Sequence, residues 1–257
     1  MQDITAKLTD IRPLARGYSV FTFDAPAIAA EAQPGQFVHV QVPTIEASRL
    51  RRPFSIYDAD PATGKLYVLF KAVGYGTDRL AALPVGTDIQ ILGPIGKPFP
   101  LNPQGTPCLV GGGYGVAPLW FLASRLPRKG ILFVGGRTKD DILETQRFVD
   151  AGWEVRIATQ DGSLGVEGLV TKPLIEQLEQ RADAELYACG PDGMLHAVGD
   201  LAIKYGVKGW LSLDKHMVCG IGACLACVQK IRKPDGNEVL ARVCVDGPVF
   251  ESRDIVW

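Results

Sequence analysis

Four cysteines near the C-terminus restrict this chain more than any other feature. They read Cys219-Gly-Ile-Gly-Ala-Cys224-Leu-Ala-Cys227, followed after sixteen residues by Cys244, a C-x4-C-x2-C…C pattern. That is the spacing of plant-type [2Fe–2S] centres. Three thiolates must converge from one tight loop, and Gly220 and Gly222 let its backbone curl so that N–H groups turn toward the sulfurs. Cys244 then arrives from a separate strand beyond the turn at Pro234-Asp-Gly-Asn237. A four-cysteine zinc site stays open as the alternative, although zinc sites commonly pair two C-x2–4-C knuckles and Cys244 has no second cysteine beside it. The remaining thiols, Cys108 and Cys189, stand alone in apolar settings. Nothing points to an oxidising compartment, so metal ligation is expected before disulfides. The segment from about 211 is too short for a core of its own without such a staple.

The rest of the chain is long enough to bury real cores. Its 257 residues are 47% hydrophobic and 21% charged, with a formal net charge of −1. This is ordinary globular composition and room for one large domain or two to three small ones. Balanced charge gives no electrostatic case for a nucleic-acid or polybasic membrane partner. The opening MQDITAKLTD has no apolar stretch of the kind a secretory signal needs. Residues 98–124 carry no charge, yet they hold five prolines and five glycines, which a membrane helix of ~20 apolar residues would not combine. A soluble, cytoplasmic protein is expected.

Hydrophobic patterning divides the chain in three. Runs at Tyr18–Phe23, Gln36–Val42, Lys65–Lys71 and Asp88–Leu92, punctuated by Pro/Gly turns, predict a β-barrel or sandwich. From about 105, short apolar strands (CLVGG, ILFVGG, WEVRIAT, ELYACG) alternate with helical spacing over 116–126, 140–150, 168–180 and 192–205. That alternation predicts βαβ units on a parallel sheet. The expected divisions are 1–102, 103–210 and 211–257.

Three motifs carry chemistry. Arg51-Arg52-Pro53-Phe54-Ser55 ends a strand, and alone it is compatible with surface arginines before a proline turn. Leu69-Phe70-Lys71-Ala-Val-Gly74-Tyr-Gly76-Thr77 reads as a strand, a glycine turn and a helix start. Thr77 is the expected N-cap there, and the helix N-terminus is an anion site. Leu92-Gly-Pro-Ile-Gly96 follows. Further on, Gly111-Gly-Gly113-Tyr-Gly115-Val-Ala-Pro118 lies between a strand and a helix, as a dinucleotide loop does. Thr159-Gln-Asp161-Gly-Ser163 and Cys189-Gly190-Pro191 end two later strands. Cys189 is otherwise readable as a small buried hydrophobe.

Taken together these segments resemble the ferredoxin-reductase family of flavoproteins, whose R-x-Y-S motif stands where Arg52-Pro53-Phe54-Ser55 stands here. The resemblance implies an FAD-binding β-barrel, a nicotinamide-binding α/β domain, and roles for individual residues. Arg52 would hold the FAD pyrophosphate, a role that suits a planar fork able to grip two phosphate oxygens. Ser55 would sit at the flavin ring edge beside Pro53, and Phe54, lacking a hydroxyl, would pack on the cofactor. Leu69, Phe70 and Lys71 would face the isoalloxazine, and Gly76-Thr77 the pyrophosphate. Gly111, Gly113, Gly115 and Pro118, with Asp161, would bind NAD, and Cys189, Gly190 and Pro191 would lie beside the nicotinamide. The family's glycine- and asparagine-rich stretch after the Leu92–Gly96 turn is replaced here by Lys97-Pro98-Phe99. Arg137 follows the second strand with no acidic residue to hold a ribose 2′-hydroxyl, so the residues leave NAD and NADP both open.

Domain order narrows the resemblance. A flavin barrel, a nicotinamide domain and a C-terminal Met217-Val-Cys219…Cys227 loop with Cys244-Val-Asp246-Gly-Pro-Val-Phe250 are similar to one subfamily over essentially the whole chain, the electron-transfer subunits of dihydroorotate dehydrogenase B. The subfamily implies NAD(H), FAD and [2Fe–2S] on this chain and an FMN-containing catalytic partner, in an α2β2 heterotetramer that serves pyrimidine synthesis. No residue resembles an orotate site, and a ~250-residue (β/α)8 barrel has no room here. The homologous subunit of a sulfide dehydrogenase or ferredoxin–NADP reductase complex stays open, as does, from another class, a zinc-stapled interaction module.

Overall fold

The structure, a computed structural model, describes residues 1–43, 50–180 and 183–257. Its first part is a closed six-stranded barrel built from β1 (Gln2–Pro13), β2 (Tyr18–Asp24), β3 (Phe37–Val40), β4 (Arg52–Asp60), β5 (Lys65–Lys71) and β6 (Asp88–Ile95), in the order β1-β2-β5-β4-β3-β6. Helices α1 (Pro26–Glu31) and α2 (Tyr75–Ala81) fill two of its connections. Strands β2 and β3 are buried along nearly their whole length because both their faces are covered, while β1 and β6 include exposed positions. On β2, Phe21 and Phe23 enter the barrel core while Tyr18 and Val20 join the core of the next layer. On β3, Val38 and Val40 point inward, which turns Phe37 and His39 out toward the C-terminal segment.

The second part is a sheet of β7 (Thr106–Gly112), β8 (Ile131–Gly136), β9 (Glu154–Thr159), β10 (Val166–Glu167), β11 (Ala184–Cys189) and β12 (Lys208–Ser212), all parallel, in the order β10-β9-β8-β7-β11-β12. Helices α3 (Val116–Arg125), α4 (Thr145–Asp150), α5 (Thr171–Gln180) and α6 (Asp192–Lys204) make the crossovers. The chain starts at β7, walks outward through β8 to β10, and returns to β11 on the other side. The crevice at the carboxyl ends of β7 and β11 is therefore the topological switch point where such sheets bind ligands. Every residue of α3 from Val116 to Ala123 is buried, because the helix is packed on both sides, with Phe121 in the barrel core and Leu119 and Leu122 against the sheet.

The C-terminal segment has a hairpin, β13 (Val228–Arg232) and β14 (Glu238–Arg242), a helical turn α7 (Val243–Asp246) and β15 (Val249–Glu251). The expected turn at 234–237 closes the hairpin, where Lys233 N–H donates to Asn237 O. Strand β15 adds antiparallel to β12 at the sheet edge, and Ile231, Val243, Phe250 and Ile255 share one apolar core with Val110 and Leu211. A tail too small for its own core borrows the sheet's.

One expected helix differs. In place of a single helix over 140–150 there is a 3₁₀ turn at Lys139–Asp141, then a break, then α4. The break falls at Glu144, which takes a left-handed φ of 56° and turns its carboxylate toward the barrel. Arg12 of β1 grips it with two hydrogen bonds of 2.9 and 2.7 Å, and Tyr57 donates its hydroxyl at 2.6 Å. Arg147 donates to the same Tyr57 oxygen, and Trp120 Nε1–H donates to Asp58 at 2.9 Å. This charged seam fixes the barrel against the α/β layer. Among the described residues no helix is long and apolar enough to cross a membrane.

Candidate functional site

A cleft of about 790 Å³ opens where the barrel, the carboxyl edge of the sheet and residues 212–217 meet, a size suited to a cofactor-sized ligand. Its barrel wall carries Arg52, Pro53, Phe54 and Ser55 from β4, then Leu69, Phe70 and Lys71 from β5, and Thr77. Ser55 lies across from Phe37 and Pro53 across from His39 in the β3–β4 ladder, so these side chains share the barrel's outer face. Phe54, one position out of phase, packs on the barrel core and against Phe70, with ring centroids 5.1 Å apart. The Arg52 guanidinium rests on the α2 turn, for a methyl group at Gly76 would fall 2.9 Å from its Nε and Nη2. The two segments expected to hold one pyrophosphate are thus neighbours.

Thr77 does not cap α2 as expected. Gly74 occupies the N-cap, and Thr77, three residues on, accepts from Val73 N–H at 2.8 Å and Gly74 N–H at 3.1 Å while donating to Gly74 O. The hydroxyl therefore braces the glycine turn from inside.

The sheet wall carries Cys189 and Gly190 at the end of β11, in register with Gly111 of β7. Gly115 is mandatory there, because any Cβ would collide with the Cys189 carbonyl. Gly113, with φ of 56°, turns the loop over Tyr18. Gly111, Gly113, Gly115, Pro118 and Pro191 shape the loops behind the cleft without lining it, and Gly76 likewise stands behind the barrel wall. Asp161 lies elsewhere, in the loop after β9. There its N–H donates to Arg137 O, and its carboxylate, held below the usual range by the Ser163 hydroxyl and N–H, organises that turn. The stretch from Arg137 to Ser163 forms the outer end of the α/β ligand edge.

Two groups here had no signal in the sequence. Asp214, just past β12, lines the cleft with Tyr114 Oη 3.3 Å from its carboxylate. Burial, with Asp192 nearby, raises the Asp214 carboxyl above its ordinary range against the pull of Tyr114, His216 and Lys215. Burial likewise pushes Tyr114 and Cys189 up, each to about 12, with Asp214 adding to both. Trp257 stacks on His196 of α6 at 4.9 Å and is absent from the cleft wall.

The four tail cysteines lie beyond the 212–217 wall. They associate two and two: Cys219 with Cys224, and Cys227 with Cys244, whose N–H donates to Cys227 Sγ at 3.4 Å. Burial raises the Cys219 thiol, but the N–H groups of Ile221, Cys224 and Ala223 outweigh it and bring the thiol down to about 6. Cys244, fully buried beside Cys227, is pushed up to about 12. Gly220 and Gly222 take left-handed φ of 69° and 80° to aim those donors. Among the described residues no three ligand-type side chains converge as a single-ion site requires. Paired thiols with N–H donors on a sulfur fit a two-iron cluster, which divides its ligands between two metals. One more polar group faces this loop. His39 is 1% exposed, its Nε2 has no hydrogen-bond partner among the described residues, and its ring lies against Gly220. All six cysteines are free thiols.

Comparison with known proteins agrees with this arrangement. Residues 5–99 match the oxidoreductase FAD-binding domain, residues 109–200 the oxidoreductase NAD-binding domain, and residues 214–256 the iron–sulfur cluster binding domain of dihydroorotate dehydrogenase B. The chain is 38% identical over 256 residues to the dihydroorotate dehydrogenase B (NAD(+)) electron transfer subunit of Desulforamulus reducens, covering 98% of this chain and 97% of that one. It is 40% identical over 250 residues to the subunit of the same name from Shouchella clausii, covering 95% and 94%. Among solved structures, an NADH-dependent reduced ferredoxin–NADP oxidoreductase studied for flavin-based electron bifurcation superposes with a TM-score of 0.88 at 29% identity, over 99% of this chain and 90% of that one. The ferredoxin reductase of a carbazole 1,9a-dioxygenase shares the fold, with a TM-score of 0.70 at 22% identity over 80% and 66%.

Proposed function

Because the chain belongs to the family of dihydroorotate dehydrogenase B electron-transfer subunits, we propose that it carries electrons from the FMN of a dihydroorotate-oxidising catalytic subunit, through [2Fe–2S] and FAD, to NAD⁺ in pyrimidine synthesis. It is an oxidoreductase subunit, with FAD, an iron–sulfur cluster and NAD as cofactors. The observation that carries this reading is the shared cleft. Segments from the barrel and the sheet wall one cavity, and residues 212–217 lead from it directly into the thiol loop. When bound, FAD exchanges a hydride, two electrons with one proton, with NAD and single electrons with the cluster.

The chain's own residues supply binding and exclusion of water. Arg52 holds the FAD pyrophosphate over the Gly76-Thr77 turn, and Pro53, Ser55, Leu69, Phe70 and Lys71 cradle the ring, with Phe54 supporting from the core side. Gly111, Gly113, Gly115 and Pro118 let the nicotinamide dinucleotide approach the β7 loop, with Asp161 shaping the turn at its adenosine end. Cys189, Gly190 and Pro191 flank the nicotinamide. Cys219, Cys224, Cys227 and Cys244 are the cluster ligands. These roles correspond to an FAD unit over 1–102, an NAD unit over 103–210 and a cluster unit over 211–257, in a cytoplasmic α2β2 heterotetramer.

The partner docks on the 219–227 loop. Ile221 and Leu225 are 51% and 62% exposed, cost little to dehydrate, and sit beside the thiols that must come close to the partner's flavin. The test is reconstitution with the catalytic subunit recovered by co-purification from native extract. Ile221→Lys should keep the visible spectrum and NADH-to-dye activity while abolishing NAD-dependent dihydroorotate oxidation. If both activities survive, the docking face lies elsewhere. Co-purification of a ferredoxin–NADP or sulfide-oxidising partner would instead point to the bifurcating relative.

A further inference from the structure

The histidine of β3 is a strongly polar side chain held almost fully buried. Phe37 and His39 share that face, with ring centroids 5.7 Å apart, and Phe37 lines the cleft. Pro53 and Leu92 flank His39 on the neighbouring strands. The ring therefore stands between the flavin wall and whatever covers β3. What covers it is the thiol loop. A methyl group at Gly220 would lie 2.8 Å from His39 Cε1, 2.9 Å from Nδ1 and 3.1 Å from Nε2, so the bare Cα of this glycine is what admits the ring.

A buried imidazole nitrogen without a partner is costly, and such groups in native proteins call for a specific explanation. The loop's own N–H donors at Ile221, Ala223 and Cys224 are turned onto Cys219 Sγ. The ring meets the loop at Gly220, the residue that directly follows Cys219, so a ligand thiol adjoins the point of contact. We propose that His39 Nε2–H donates a hydrogen bond to a sulfur of the iron–sulfur cluster across Gly220 and thereby raises the cluster's reduction potential. The physical basis is that reduction adds negative charge to the sulfurs, so a donor aimed at them stabilises the reduced form more than the oxidised one. A residue of the flavin barrel would then set the driving force for electrons arriving at that barrel. The inference rests on the reading of Cys219, Cys224, Cys227 and Cys244 as cluster ligands.

The experiment is an anaerobic, EPR-monitored redox titration of the holoprotein as wild type, His39→Leu and His39→Gln, following cluster and flavin separately. His39→Leu should shift the cluster's one-electron reduction equilibrium about tenfold toward the oxidised form, about 59 mV more negative. His39→Gln, which restores an N–H donor, should recover most of that shift, and the flavin couple should stay in place. An unmoved cluster potential in a fully loaded His39→Leu protein would overturn the proposal and leave the ring as packing. A shift of the flavin couple instead would overturn it by assigning the donor to FAD. Should the leucine variant not retain its cluster, pulsed EPR of wild type labelled with ¹⁵N-histidine should show nitrogen coupling to the reduced cluster that His39→Gln removes; no coupling overturns it equally. A wild-type protein with no EPR-active cluster would refute the ligand assignment itself, a result distinguishable from all of these.

Discussion

The barrel meets the rest of the molecule along two seams of opposite character. Toward α3 and α4 the seam is charged and internally complete: Arg12, Glu144, Tyr57, Arg147, Asp58 and Trp120 satisfy one another. Toward the thiol loop it is apolar, with Phe37 sharing a core with Cys227 and Cys244, and with His39 Nε2 unpartnered. A complete network holds two layers in fixed orientation with no help from a ligand. The other leaves one buried donor nitrogen, His39 Nε2, against the thiol loop. The contrast separates the seam that positions the cleft from the seam through which electrons pass.

The comparison breaks most completely at the thiols. Replacing Cys219, Cys224, Cys227 or Cys244 with Ser should abolish [2Fe–2S] content, measured as iron, acid-labile sulfide and the EPR signal of the reduced protein. Full occupancy in any one variant removes that residue from the ligand set. Cys108→Ser and Cys189→Ser should keep the cluster, since both lie on sheet strands, β7 and β11, and not in the 219–244 segment. The next largest effect is on the flavin: Arg52→Ala should weaken FAD retention by about 2–4 kcal/mol, the worth of one or two charge-assisted contacts. Flavin quantified after gel filtration measures it, and unchanged retention removes Arg52 from the pyrophosphate.

The charged seam should respond in stability and not in cofactor content. Glu144→Gln leaves Arg12 and Tyr57 facing a neutral amide and should cost about 2 kcal/mol in urea unfolding, with flavin and iron unchanged. The smallest effect is its pH dependence. Burial raises the Glu144 carboxyl, but Arg12 and Tyr57 outweigh it and hold the group below its ordinary range. A depressed carboxylate contributes stability above its unfolded value of about 4.3 and loses it as pH falls through the lower folded value. Wild type should therefore lose more stability than Glu144→Gln between about pH 5 and pH 3. Parallel curves would mean that the seam is not held by that carboxylate.

The sequence disclosed those parts of the site whose signal is local. The spacing of the first three cysteines, the R-R-P-F-S string and the glycine loops each lie within about ten residues, where geometry follows from chain connectivity alone. It misread Thr77 as an N-cap because the Thr that braces a glycine turn from N3 looks the same in a string as one that precedes it. It read a continuous helix over 140–150 because nothing nearby reveals that Glu144 answers to Arg12, 132 residues away. His39 in Phe-Val-His-Val and Asp214 in Leu-Asp-Lys are single polar residues in or after apolar strands. Their significance appears only when the thiol loop and Tyr114 fold against them.

Electron flow from NADH through flavin to cluster is read by anaerobic addition of NADH to the purified chain, followed by visible and EPR spectroscopy on the same sample. Flavin bleaching is expected together with the EPR signal of a reduced [2Fe–2S] cluster, in a protein whose iron and sulfide are each present at twice its FAD. A colourless protein that retains zinc, or a flavin that bleaches while no cluster signal develops, would contradict it.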